Sequence, residues 1–153
     1  MAKDTLAQTL GTLPDKRSQV ALIKAFNAFR GVTVLQSGTN LGLADMGSTI
    51  YLDNSAGFTT TLPLPMLGGN LTVVVRTAPS SGNYTIVTAN AATILKGAQT
   101  PVDGNAGNTS TAATTVNIVS GQAVPGDKIQ FFSDGISWFA DVISKVVAGV
   151  TFS

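Results

Sequence analysis

Short apolar runs separated by turn residues fill the chain from Val32 onward, and they constrain the fold more than any other feature. From Val116 to Ser153, β-branched and aromatic residues are interrupted by Pro-Gly and Ser-Asp-Gly turns. Runs of this length with such punctuation are typical of β-sandwiches and β-barrels. The sequence therefore predicts a mainly β body over residues 32–153, a β-sandwich or jelly-roll-like fold.

The apolar runs predict ten strands in this body. We expect the Gly-, Ala-, Asn-, Thr- and Ser-rich stretch from Gly97 to Thr114 to be an exposed or partner-ordered loop, because it has few large apolar groups. Residues 53–57 and 80–83 have the composition of hairpin turns. The predicted strands are Val32–Gln36, Thr49–Asp53, Phe58–Pro63, Leu71–Thr77, Tyr84–Thr88, Thr93–Lys96, Thr115–Ser120, Lys128–Ser133, Ser137–Ile143 and Val147–Phe152.

Residues 1–31 have a different pattern of apolar residues, which predicts an N-terminal arm with one amphipathic helix. Pro14 suits the first position of a helix and Gly31 suits its end. Four large apolar residues recur between them at three- and four-residue spacing: Leu22, Ile23, Phe26 and Phe29. A helix of this length is marginal alone, so this face needs cover, either on the chain's own body or on a neighbouring molecule. Leu6 and Leu10 add two apolar contacts in the leader that precedes the helix.

Charge is scarce and unevenly placed. Only 11% of the residues are charged, against about 25% in typical soluble domains. The arm has five basic and two acidic side chains, and the rest of the chain has four basic and six acidic ones. A surface so poor in charge predicts self-association or a large partner. The basic footprint, which includes Lys16, Arg17 and Arg30, is too thin to predict a nucleic-acid partner.

Residues that carry catalysis are few. The chain has no His, Cys or Glu, which removes the usual general base, thiol chemistry and the common zinc ligands. The aspartates at 45, 53, 103, 127 and 134 stand beside turn residues, where we expect them to cap their own backbone. We predict no enzyme activity, no cofactor and no metal. No apolar run reaches the 18–20 residues of a membrane span, so no membrane partner is expected.

Trp138 could either bind a ligand or pack inside the protein or in an interface. An exposed tryptophan is a common platform for sugars, but this one follows a turn in a strand-like run with Phe131 and Phe132 just before it. A position in the core or in a subunit interface is favoured.

Three phrases of the sequence resemble small β-rich virion proteins of tailed bacteriophages. They are Thr49–Pro63 (TIYLDNSAGFTTTLP), Gly82–Thr88 (GNYTIVT) and Ser133–Phe139 (SDGISWF). The pattern is most similar to head decoration, or cement, proteins, and it also resembles modules of phage fibres.

The resemblance implies a β-sandwich-like body, a homotrimer, and attachment to the outside of a capsid where major capsid protein subunits meet. Such a protein is made in the host cytoplasm and ends in the virion. The expected contacts with the capsid or another partner come from the arm: Leu6, Leu10, Leu22, Ile23, Phe26, Phe29, Lys16, Arg17 and Arg30.

The alternative is a fibre or spike module that binds host surface glycans through residues 97–114 or Trp138. Copy number separates the two readings, since decoration needs hundreds of copies per particle and a fibre only a few.

Overall fold

The structure is a computed structural model that describes residues 31–90 and 94–153. These ranges form a mainly β body with two short 3₁₀ turns, Leu43–Asp45 and Val147–Gly149. The predicted arm, including its helix, lies outside the described residues. The strands are β1 Val32–Leu35, β2 Thr49–Asp53, β3 Phe58–Thr61, β4 Asn70–Thr77, β5 Tyr84–Val87, β6 Leu95–Pro101, β7 Thr109–Ala113, β8 Thr115–Ile118, β9 Lys128–Ser133, β10 Trp138–Ser144 and β11 Val150–Phe152.

The strands form two sheets of mixed orientation, and the predicted β-sandwich-like architecture is confirmed. The large sheet has seven strands in the order β1-β2-β4-β9-β10-β6-β7, and the small sheet has four in the order β11-β8-β5-β3. Side chains alternate along most of the strands, as in β10, where every second residue is buried. One continuous core contains inward residues of both sheets, such as Ile50 and Phe131 of the large sheet and Ile86 and Val116 of the small one.

The chain passes repeatedly from one sheet to the other in its first half. Strands β2 and β4 pair in parallel in the large sheet, and β3 and β5 pair in parallel in the small one. β1 pairs in parallel with β2, and Asn40 forms a parallel bridge with Thr61 of β3. The result is a stack of coils, each contributing one segment to each layer.

This stacking corrects the prediction of hairpin turns at residues 53–57 and 80–83. Both segments do turn the chain, but each links a strand of the large sheet to a strand of the small one. Gly57 sits in the first turn at φ +69°, a conformation that favours glycine. Turn residues indicate where the chain changes direction, but they do not determine which strand the following strand pairs with. That pairing depends on contacts made elsewhere, so composition alone predicted the wrong connection.

The prediction of a loop from Gly97 to Thr114 is also wrong. β6 continues through Gly97 to Pro101, parallel to β10, and β7 pairs antiparallel with β6 at the edge of the sheet. Gln99 is buried there, where its Nε2 donates to Ser144 Oγ at 2.7 Å and its Oε1 accepts from the Asn108 amide at 3.1 Å. Small and polar residues fill this part of the sheet, so the strand lacks the large apolar pattern on which strand prediction relies.

Most other boundaries agree with prediction within three residues. The strand predicted from Thr93 begins at Leu95, with residues 91–93 outside the described ranges. The strand predicted to start at Val147 begins at Val150, after the second 3₁₀ turn.

Turn capping is confirmed for four of the five aspartates. Asp45, Asp103, Asp127 and Asp134 each accept a hydrogen bond from a backbone N–H two or three residues away. Asp53 instead bonds across to β4, accepting from Thr77 Oγ1 at 2.5 Å and lying 3.6 Å from the Arg76 guanidinium.

Candidate docking surface

One end of the large sheet is built from a hairpin turn and a loop that hold each other in place. The β9–β10 turn is closed by Asp134, whose Oδ1 accepts from the amides of Ile136 at 2.8 Å and Ser137 at 2.7 Å. Gly135 takes φ +91° in this turn, where a side chain would be strained. Sequence and geometry therefore agree on a tight, well-defined turn.

The loop of residues 63–69 packs beside this turn through backbone hydrogen bonds. The Gly68 amide donates to the Ser133 carbonyl at 3.1 Å, and the Ser133 amide donates to the Gly69 carbonyl at 2.8 Å. A Cβ built on Gly135 would lie 3.3 Å from the backbone nitrogen of Leu67. Loop and turn are thus in direct contact.

Trp138 anchors the same loop from inside. Its side chain is fully buried, its Nε1 donates to the Pro63 carbonyl at 3.1 Å, and its ring meets Phe131 edge-on with centroids 6.3 Å apart. Of the two positions predicted for Trp138, the core or a subunit interface, the structure shows the core. A buried indole has no face available for stacking on a sugar.

The outer surface of this end is apolar. Leu67 of the loop and Ile136 of the turn are each 80% exposed. Phe132 and Phe139 lie directly opposite each other on β9 and β10, on the solvent side of the sheet, with 47% and 37% of their surface exposed. We call Leu67, Phe132, Ile136 and Phe139 the apolar end. Leu64 and Met66 of the loop are also exposed. So is Ile94, whose carbonyl accepts a hydrogen bond from the Trp138 amide at the start of β10.

Three charged side chains border the apolar end. Lys96 is the register partner of Phe139 on β6, and its Nζ lies 5.4 Å from the centre of the Phe139 ring, a cation–π contact. Asp141 follows Phe139 on the same face of β10. The amides of Ser137 and Ile136 hold the pKa of Asp134 below its ordinary value, so this carboxylate is ionised at neutral pH.

Two grooves lie elsewhere on the surface of the large sheet. One of about 230 Å³ is lined by Val32, Val34, Tyr51 and Arg76 on the solvent side of β1, β2 and β4. Another of about 300 Å³ lies at the far end of the large sheet, beside Val102, Ile143 and the 124–127 turn.

Asp127, Ser144 and Lys145 also line the second groove. Both carboxylate oxygens of Asp127 accept from backbone amides, of Val124 at 3.0 Å and of Lys145 at 2.8 Å, and Ser144 Oγ donates to the Val146 carbonyl at 3.0 Å.

Residues 31–90 and 94–153 contain no cluster of three or more His, Cys, Asp or Glu side chains that could hold a metal ion. They also contain no helix with the length and hydropathy required to cross a membrane.

The site residues predicted from sequence and the surface found in the structure do not coincide. All nine predicted contact residues precede residue 31 and lie outside the described residues. The apolar end was missed because a run such as Phe131-Phe132 does not reveal which ring faces the core. A signal did exist in Ile136, a large apolar residue inside a Ser-Asp-Gly turn, where polar residues are the rule.

Comparisons with known proteins add no relative. No protein-family model, curated protein or solved structure matches this chain.

Proposed function

We propose that this chain is a structural virion protein: a homotrimeric capsid decoration, or cement, protein on the outside of a tailed-phage head. In this role it stabilises contacts between subunits of the major capsid protein. It needs no cofactor, nucleic acid or membrane partner, and it acts after synthesis in the host cytoplasm and assembly into the virion.

The observation that carries the proposal is the apolar end. Exposed apolar patches on soluble proteins commonly mark interaction sites. This patch stands on a rigid support, because the hairpin turn, the 63–69 loop and Trp138 are bonded to one another. A pre-ordered surface loses little conformational entropy on association, which suits a protein whose function is to bind and hold.

Two further features support the same role. The phrases that resemble decoration proteins form structural parts of the body: Thr49–Pro63 spans β2, the first crossing and β3, and Ser133–Phe139 forms the turn of the apolar end. The low charge of the chain also leaves little electrostatic repulsion between copies.

The mechanism is burial of apolar area across subunit boundaries. Covering one large apolar side chain contributes about 1.5–3 kcal/mol. A trimer multiplies these contacts, since the second and third copies bind from a high effective concentration. The arm residues Leu6, Leu10, Lys16 and Arg17, with the helix face that follows them, are the proposed contacts with the shell or with a neighbouring copy.

A fibre or spike module that binds glycans is the alternative function. One of the two binding elements proposed for it, Trp138, is buried and cannot contact a glycan. The connection between β6 and β7, residues 102–108, is the element left for it.

The test is binding to expanded capsids. The wild-type protein should co-sediment with expanded heads and saturate at hundreds of copies per particle. The double variant Leu67→Ser with Ile136→Ser should bind at least about tenfold more weakly, since 1.4 kcal/mol corresponds to a factor of ten.

The matched control is Val102→Ser, which removes a side chain that is 74% exposed at the opposite end of the large sheet. It should bind like the wild type. Wild-type protein that stays in the supernatant, or that saturates at a few copies per particle, would sink the proposal.

A further inference from the structure

The outer face of the large sheet is open over its first three strands. The small sheet packs against the opposite face, where Ile50 and Val73 belong to the shared core. On the outer face, Val32 and Val34 of β1 are 66% and 43% exposed. β1, β2 and β4 run parallel to one another, and parallel strands are usually covered on both faces. Within the described residues, this apolar area therefore lacks the layer that such strands normally have.

A groove in this area has room for one aromatic ring. Its volume is about 230 Å³, and it is lined by Val32, Val34, Tyr51 and Arg76. An apolar cavity of about 150 Å³ is enough to hold benzene. The Arg76 guanidinium, 3.6 Å from the Asp53 carboxylate, adds a cation to the lining, and guanidinium groups stack on aromatic rings. A phenylalanine side chain fits both the size and the chemistry of the groove.

The course of the chain brings two phenylalanines close to this groove. The Gly31 carbonyl accepts a hydrogen bond from the Thr49 amide at 3.1 Å, so residue 31 already lies beside β2 in the sheet. Phe29 precedes Gly31 by two residues and Phe26 precedes it by five. A chain extends by at most about 3.6 Å per residue, so in any conformation these residues lie within about 7 Å and 18 Å of Gly31. Val34 is about 10 Å from Gly31 along β1, which is within the reach of Phe26.

The covalent link favours the chain's own phenylalanines over those of a second copy. Joining two groups by a short stretch of chain gives an effective concentration in the millimolar range, whereas a second copy binds only from its concentration in solution. The apolar end is a more distant target for the same segment. Phe132 is on β9, three strand positions from β1, which corresponds to about 14 Å.

We propose that Phe26 occupies the groove on the outer face of its own chain, with Phe29 packed beside Val32. The segment that precedes β1 then supplies the missing layer over β1, β2 and β4. This inference does not depend on the decoration role. It assigns Phe26 and Phe29 to the chain's own body, narrows the contacts proposed for a shell or a neighbouring copy to the rest of the arm, and leaves the apolar end open.

Disulfide trapping tests the contact directly, because the natural chain has no cysteine. The full-length double variant Phe26→Cys with Val34→Cys should form a disulfide within one chain on mild oxidation. It should remain a monomer on non-reducing electrophoresis and lose both free thiols. The control pair Phe26→Cys with Val102→Cys should keep its thiols, because Val102 follows β6, which is five strand positions from β1.

A third pair, Phe26→Cys with Phe132→Cys, distinguishes the groove from the apolar end. The Val34 pair should close at least about tenfold faster, the factor that corresponds to about 1.4 kcal/mol. Three results would each overturn the proposal: equal or faster closure of the Phe132 pair, a disulfide between chains in the Val34 pair, or no disulfide above the level of the Val102 control.

Thiol labelling provides a second measurement that needs no disulfide. In the single variant Val34→Cys, the thiol should react slowly with a bulky maleimide, because the proposed segment covers it. Adding Phe26→Ser should raise the rate at least about tenfold, while the same change should leave the labelling of Val102→Cys unaltered. An unchanged rate at residue 34, or an equal increase at both positions, would count against the proposal.

Discussion

Tyr84 illustrates how single side chains join the two layers of this body. Its hydroxyl lies 2.7 Å from the Asn54 amide, from which it accepts, and 2.6 Å and 2.8 Å from the carbonyls of Asn54 and Thr77. Burial raises the pKa of Tyr84, so the hydroxyl keeps its proton and can donate to one of these carbonyls. A strand of the small sheet thus satisfies the backbone at the ends of β2 and β4.

Tyr84→Phe should lower the free energy of unfolding by about 1–3 kcal/mol, because it leaves the Asn54 amide without its partner. Urea denaturation measures this as a lower midpoint with an unchanged slope. Tyr51→Phe removes a hydroxyl from the half-exposed outer face and should stay within about 0.5 kcal/mol of the wild type. Equal effects of the two changes would contradict the role given to the Tyr84 hydroxyl.

Asp134 predicts a specific dependence on pH. Amides of Ser137 and Ile136 lower its pKa in the native state, while the unfolded chain has a value of about 3.9. A depressed native pKa stabilises the fold fully above the unfolded value, and the contribution disappears as the pH falls through the native value. The carboxyl carbon of Asp134 should therefore titrate below pH 3.9 in NMR spectra.

Asp134→Asn keeps the acceptor oxygen and removes the charge. Its stability deficit relative to the wild type should be largest near neutral pH and should shrink as the pH drops below about 4. A deficit that grows on acidification would show that the sign assigned here is wrong.

At the scale of elements, the two crossings between sheets depend on glycine. Gly57 has φ +69°, and a Cβ there would collide with the backbone carbonyls of Gly82 and Asn83 in the second crossing. Gly121 has φ +74° but no atom within 4 Å of such a Cβ. Comparing substitutions at Gly57 and Gly121 therefore separates the cost of a left-handed backbone from the cost of disturbing the contact between the two crossings.

Gly121→Ala should cost about 1–2 kcal/mol from backbone strain alone. Gly57→Ala should cost roughly 1–3 kcal/mol more, since the two crossings must move apart. Thermal or urea unfolding of the two variants gives the difference directly. Similar losses in both would mean that the crossings do not touch as described.

The elements show where prediction from sequence succeeds. Strands with alternating large apolar residues, such as Thr49–Asp53 and Lys128–Ser133, were predicted with their observed bounds. β7 was not predicted, because Thr109–Ala113 contains only Thr, Ser and Ala, and its pairing depends on β6 beside it. The apolar end was not predicted either, since a single strand does not reveal which of its faces is covered.

At the scale of the whole molecule, the proposed association between copies should contribute to stability. A partner that binds only the folded state stabilises it by mass action, so Tm should rise with protein concentration. Ile136→Ser should flatten this dependence while changing the stability of the dilute protein by about 0.5 kcal/mol or less, because the side chain lies at the surface. Differential scanning calorimetry over a hundredfold range of concentration provides the measurement, and a Tm that stays constant for the wild type would count against self-association.

The repeated passage of the chain between the two sheets also affects the rate at which the protein folds. β2 and β4 come early in the chain, yet β4 needs β9 as its other neighbour, and β6 pairs with β10 across a long intervening stretch. Pairings between distant segments close slowly, and the unfinished layers present bare strand edges in the meantime. A freshly synthesised chain is therefore most vulnerable to aggregation before its last strands are made and paired.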